Sequence, residues 1–218
     1  MALHLTAIIL KLFLRKLISL MKNTLLALFF MGFAFSASAQ TAETNTTATT
    51  AGTVEKSLFN VQVGAVGVWA SHEARLSNKW ALRSEIGLDL WAYDTYFDGS
   101  GTVMVPSISV EPRWYYNIEK RANKGKYTAN NSASFVTVAV EYYPDLFILG
   151  SAPSYIYVPN QMTIIPKWGI RRAIAKSNFN YELGIGLGYG FYFSDSDDVI
   201  KNAGDVAIDL HARIGYTF

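Results

Sequence analysis

Asp209 and His211 stand two residues apart in an alternating stretch, so their side chains share a face where a carboxylate could orient an imidazole for acid-base work. The pair has little company. After residue 40 the only histidines are His72 and His211, too few for a histidine-based metal site. The chain has no cysteine, so neither a thiolate site nor a disulfide frame can form. Ser194-Asp195-Ser196-Asp197-Asp198 is acidic but lacks the glycine and terminal glutamate of a calcium loop. These types and spacings point away from catalysis, cofactor and metal, and towards a polar network that contains Asp209 and His211.

The network has more members. Arg83, Glu85, Asp89, Glu111, Arg113, Glu141, Lys167, Arg171, Glu182, Asp209, His211 and Arg213 all lie on the polar side of segments whose other side is apolar. Opposite Arg83, Glu85 and Asp89 stand Trp80, Leu82, Ile86, Leu88 and Leu90; opposite Glu111 and Arg113 stand Ile108, Val110, Trp114, Tyr116 and Ile118. A period of two marks strands. Seven are clear, at 59–75, 80–90, 104–118, 135–143, 162–171, 179–193 and 205–218, with a short turn at 174–178, a polar turn at 119–132 and loops at 94–103, 144–160 and 194–204. No apolar run after residue 40 reaches the roughly 18 residues of a spanning helix.

Strands of this length, each apolar on one side with aromatics near its ends, are the pattern of a transmembrane β-barrel with interfacial girdles. Single-chain bacterial barrels have an even number of strands. An eighth strand is therefore expected, and the change of phase near Gly64 to Gly67 marks a tight hairpin there, with residues 53–58 as the other source. The expected fold is all-β: an antiparallel, up-and-down transmembrane barrel of eight strands. Pro106, Pro112 and Pro166 fall inside strands, and Glu111-Pro112-Arg113-Trp114 matches Ile165-Pro166-Lys167-Trp168 closely enough to suggest a shared bulge.

The last residues, Ile214-Gly215-Tyr216-Thr217-Phe218, end on an aromatic with a second two positions back. They resemble the C-terminal signal that the barrel-assembly machinery reads in bacterial outer-membrane proteins, with Gly215, Tyr216 and Phe218 carrying the likeness. Residues 58–218 as a whole resemble the small barrels of the OmpA, OmpX and OmpW type. Glu111-Pro112-Arg113-Trp114-Tyr115-Tyr116-Asn117 and Pro166-Lys167-Trp168-Gly169-Ile170-Arg171-Arg172 more narrowly resemble outer-membrane barrels of Bacteroidota. That resemblance implies an outer-membrane location, with lipids and lipopolysaccharide as surroundings, and transfers no activity. Lipid A deacylases exist on small barrels, but by resemblance their triads face lipid near the extracellular rim. His211 is expected inside, towards the periplasmic end.

Residues 21–39 have the basic, apolar and small-residue parts of a secretory signal, with cleavage expected between Ala39 and Gln40. Residues 1–20 read as an upstream extension, and 40–57 as a flexible, Thr- and Ala-rich periplasmic tail. All 17 acidic residues follow residue 40, whereas Lys11, Arg15, Lys16 and Lys22 precede it. Without these four, 19 basic residues become 15 against 17 acidic ones, a net charge of −2, and no nucleic-acid partner is expected.

Inward charges of both signs should pair in an interior only wide enough for side chains. The expectation is a plugged barrel that acts as a structural or surface-interaction protein through its outer loops. The alternatives are a narrow transporter of small apolar or amphipathic molecules and, third, a lipid A hydrolase. Gly184, Gly186, Gly188 and Gly190 leave room on one wall for long arginines or Trp91, or else for a small ligand.

Overall fold

The computed structural model describes residues 52–96, 99–153, 155–156, 158–193 and 204–218. The expected signal segment with its cut at Ala39 and Gln40, and the acidic run at 194–198, lie outside the described residues. The strands are β1 (Ser57–Gly64), β2 (Gly67–Arg75), β3 (Trp80–Thr95), β4 (Gly99–Trp114), β5 (Ser134–Tyr143), β6 (Gln161–Ala173), β7 (Phe179–Tyr192) and β8 (Gly204–Thr217). Each pairs antiparallel with the next, and β8 returns to β1 through Asn60 opposite Thr217 and Gly64 opposite Arg213, so one sheet closes into a ring.

The hairpin between β1 and β2 sits where the alternation changes phase. Ala65 and Val66 form its loop, and Gly67 follows at φ 152°, where a Cβ would lie 2.4 Å from the Leu88 carbonyl oxygen. Only glycine fits so close an approach. The loop expected at 94–103 is much shorter, because β3 and β4 stay paired as far as Thr95 opposite Gly99.

The shared proline feature is real but is not a bulge. The β4–β5 register is the same on both sides of a gap at Glu111 and Pro112, and so is the β6–β7 register on both sides of a gap at Ile165 and Pro166. No residue is inserted. Each proline lacks the N–H that the next strand would receive, so the ladder opens locally without shifting.

The segment 119–132 is more than a polar turn. It contains a short helix α1 (Ile118–Asn123) and a 3-10 turn at Ala129–Asn131 with Asn130 and Asn131 at positive φ, a conformation asparagine tolerates. Ile118, expected on the outer face, is instead fully buried with Val54, Ala81, Tyr115, Ala133 and Phe135 at this end of the ring. Part of the expected tail is ordered there too: the Val54 amide donates to the Asn78 carbonyl at 3.0 Å, and the Glu55 amide to the Asn131 side-chain oxygen at 2.7 Å. Truncating Val54 to alanine should lower stability by about 1–3 kcal/mol, read as a shift of the urea midpoint. An unchanged midpoint would mean the segment contributes nothing. Just outside this end, Lys79 donates to Glu119 at 2.6 Å, which holds that exposed carboxyl below its ordinary range.

Candidate functional site: an ion-paired interior

Alternation sends odd-numbered side chains of β2 to β6, and even-numbered ones of β7, into the ring, except near the strand ends. The registers then set opposite charges side by side. Arg83 lies between Glu73 and Glu111 on the neighbouring strands, and Glu182 lies between Arg171 and Arg213. These two rows face each other across the interior.

Arg171 of β6 reaches Glu73 of β2 at 2.6 Å, although these strands are four apart in either direction round an eight-stranded ring. Its other side holds Glu182, with Nη2 at 2.7 Å and Nε donating at 2.9 Å. Arg113 clamps the same carboxylate with two donors, at 3.0 and 2.9 Å, and also meets Glu111 at 2.7 Å. Arg83 donates to Gln62 at 2.6 Å and binds Glu85, which takes Arg213 at 2.9 Å on its other oxygen. Lys167 gathers Glu111, Glu141 and Asp209 at 3.2, 2.8 and 2.6 Å. Arg83, Arg113, Arg171, Glu73 and Glu182 are all essentially inaccessible to solvent.

Carboxylates and guanidiniums at such depth are tolerable only with partners, because each unpaired ion costs several kcal/mol. Bidentate guanidinium forks supply the geometry. Apolar surfaces complete the fill: Arg113 lies over the Phe135 ring at 4.1 Å and Arg213 over the Trp69 ring at 3.8 Å.

Eleven of the twelve residues singled out from the sequence thus share one network. Asp89 does not join it: it accepts from the Trp69 indole at 3.0 Å, and no basic side chain among the described residues pairs with it. Glu73, Gln62, Asn60, Tyr115 and Asn180 are interior members that the sequence reading passed over. The signal for Glu73 was present, since Trp69, Ser71 and Glu73 alternate with outward positions once the hairpin at 65–66 restarts the phase.

His211 sits near the middle of β8, opposite Gly184, rather than towards one end. Its Nδ1 is 3.0 Å from Asp209 and its Nε2 is 3.5 Å from Glu182. Both nitrogens therefore face carboxylates, whereas a base in acyl transfer needs one nitrogen on a hydroxyl. The glycine wall is filled differently from expectation. A Cβ on Gly184 would strike the His211 ring, and one on Gly186 would strike Lys167 and Ile165, so these side chains take the space assigned to arginines or Trp91. No group of three or more acidic or histidine side chains among the described residues could hold a metal ion.

The fold and interior define a small, ring-closed antiparallel sheet packed with ion pairs where a water-soluble sheet would carry an apolar core. Comparison with protein-family models, curated proteins and solved structures finds no match.

Proposed function

We propose that this chain is an integral outer-membrane β-barrel with a plugged interior, serving a structural or surface-interaction role through the loops at the end opposite α1. The observation that carries this reading is the inversion of polarity. The charges are inside, while Leu187, Ile208 and Leu210 are 63, 68 and 68% exposed on the outer face, where Val61, Val138, Leu183 and Ile185 are exposed too. A continuous apolar belt of this kind is unstable in water and suited to hydrocarbon.

Its height supports the same reading. On β7 the ten residue steps from Phe179 to Tyr189 span about 34 Å along the strand, or about 25 Å across a bilayer once the strand is tilted. Aromatics mark both edges. Trp80 stacks on Trp114 at 6.1 Å and the Trp168 indole donates to the Tyr116 hydroxyl at 3.0 Å near the α1 end, while Tyr189 and Phe191 meet at 5.1 Å towards the other.

Arg171 and Glu73, bridged across the whole ring, favour a closed interior over the transporter reading. Refolded protein in a planar bilayer should therefore give no steady single-channel steps; regular steps would overturn the plug. The mature chain should also fractionate with outer membranes and shift in gel migration on boiling, and its failure to do either would overturn the location. In the C-terminal assembly signal, the Phe218 amide bonds the Phe59 carbonyl at 2.9 Å while its ring projects outward. Deleting Phe218 should sharply reduce outer-membrane levels in cells but leave refolding in detergent nearly unchanged. Equal loss in both would mean that the residue matters for stability rather than for recognition by the assembly machinery.

A further inference from the structure

A cavity of about 340 Å³ lies on the loop side of the ion network, lined among others by Asp89, Glu141, Trp91, Tyr143, Ser109 and Gln161. Its floor is the network itself, so it is a blind cup rather than a passage. At the same end of the ring the β5–β6 connection packs Val158 with Val103 and Val105, sets Ile148 and Ala152 against that cluster, and bonds Leu149 to Met104.

The cup carries unspent charge. Counting Asp89, the interior sets seven carboxylates (Glu73, Glu85, Asp89, Glu111, Glu141, Glu182, Asp209) against five permanent cations (Arg83, Arg113, Lys167, Arg171, Arg213) and His211, so negative charge is in excess. The one of these carboxylates that makes no ion pair is Asp89, which lies on this wall together with Arg213, the partner of Glu85. Gln161 and Ser109 complete the polar part of its wall. The remaining wall is aromatic, with Trp91 and Tyr143 in edge contact at 5.4 Å.

A carboxylate outside the ion pairs and beside aromatic rings suits an organic cation, held by charge on one side and by the rings on the other. A bare metal ion suits it poorly, because no three acidic or histidine groups among the described residues converge. We infer that the cup is a binding site for a small organic ammonium ion, with Asp89 as counter-ion and Trp91 and Tyr143 as aromatic walls. This goes beyond the plugged-barrel reading and needs neither conduction nor a membrane, so the two can fail separately.

Choline is the probe, because 3,3-dimethylbutan-1-ol has its shape without its charge. With the mature chain refolded in detergent, choline should quench tryptophan fluorescence saturably, and the neutral alcohol should bind roughly tenfold more weakly or worse. Asp89→Asn should weaken choline by a similar factor and leave the alcohol unchanged, with the boiling-dependent gel shift retained. Equal binding of choline and alcohol, no saturation by choline, or magnesium chloride displacing choline at matching ionic strength would each overturn the site. Should Asp89→Asn fail to fold, the comparison of choline with the alcohol on the native sequence still decides.

Discussion

Glu182→Ala should lower the stability of the folded protein by about 3–5 kcal/mol, the cost of removing one partner from a buried ion network. The magnitude follows from what is left behind. Glu182 holds both arms of Arg113, two nitrogens of Arg171, and lies 3.7 Å from Arg83 and 3.5 Å from His211. Glu111 and Glu73 remain, but each already serves other cations. The measurement is the urea midpoint in detergent micelles followed by the boiling-dependent gel shift. The double replacement Arg113→Met with Glu182→Leu should cost less than the sum of its single changes by about 1–3 kcal/mol, because it removes charge of both signs together. Strict additivity would mean that the two side chains do not depend on each other.

Gly188→Ala should be the most damaging change of a single methyl in the sheet. Its Cβ would lie 2.1 Å from the Ile164 carbonyl oxygen and 2.7 Å from the Ile165 Cα, both backbone atoms that no rotamer change can move. This is where Pro166 opens the β6–β7 ladder, and relief of the clash must widen that gap further. Overpacking of this kind costs about 1–3 kcal/mol or more. Gly190 is the control on the same strand, since its nearest neighbours to a Cβ are 3.6 and 3.7 Å away, and Gly190→Ala should change stability by no more than about 0.5 kcal/mol. Equal urea midpoints for the two variants would show that the strands do not approach as closely as described.

The strand count and faces were legible because alternation is a local property. Arg113 and Glu111 had to share a face wherever their strand was placed, and the phase change near Gly64 marked the extra hairpin. What alternation cannot specify is the partner across the ring. That Arg171 meets Glu73, or that His211 rather than an arginine fills the space over Gly184, depends on the relative stagger of strands distant in sequence. Prolines misled for a related reason. Pro112 and Pro166 announce a missing donor, yet whether the ladder inserts a residue or merely opens is decided by the neighbouring strand. The end cap was hidden differently, because Val54 and Ile118 are single apolar residues in polar surroundings and have no period to betray them. In alternation Asp89 is like any other inward charge, and only the spatial arrangement reveals that it makes no ion pair among the described residues.

In the proposed outer-membrane arrangement, alternate side chains face hydrocarbon on the outside of the ring while their neighbours neutralise one another within it. The absence of native cysteine permits a direct test with single spin labels at Leu187→Cys, Ile208→Cys and Leu210→Cys in protein reconstituted into liposomes. Labels at these positions should collide readily with dissolved oxygen and hardly at all with a water-soluble nickel chelate. Ready collision with the chelate at all three, on protein that retains its folded gel migration, would place this face in water and contradict that arrangement.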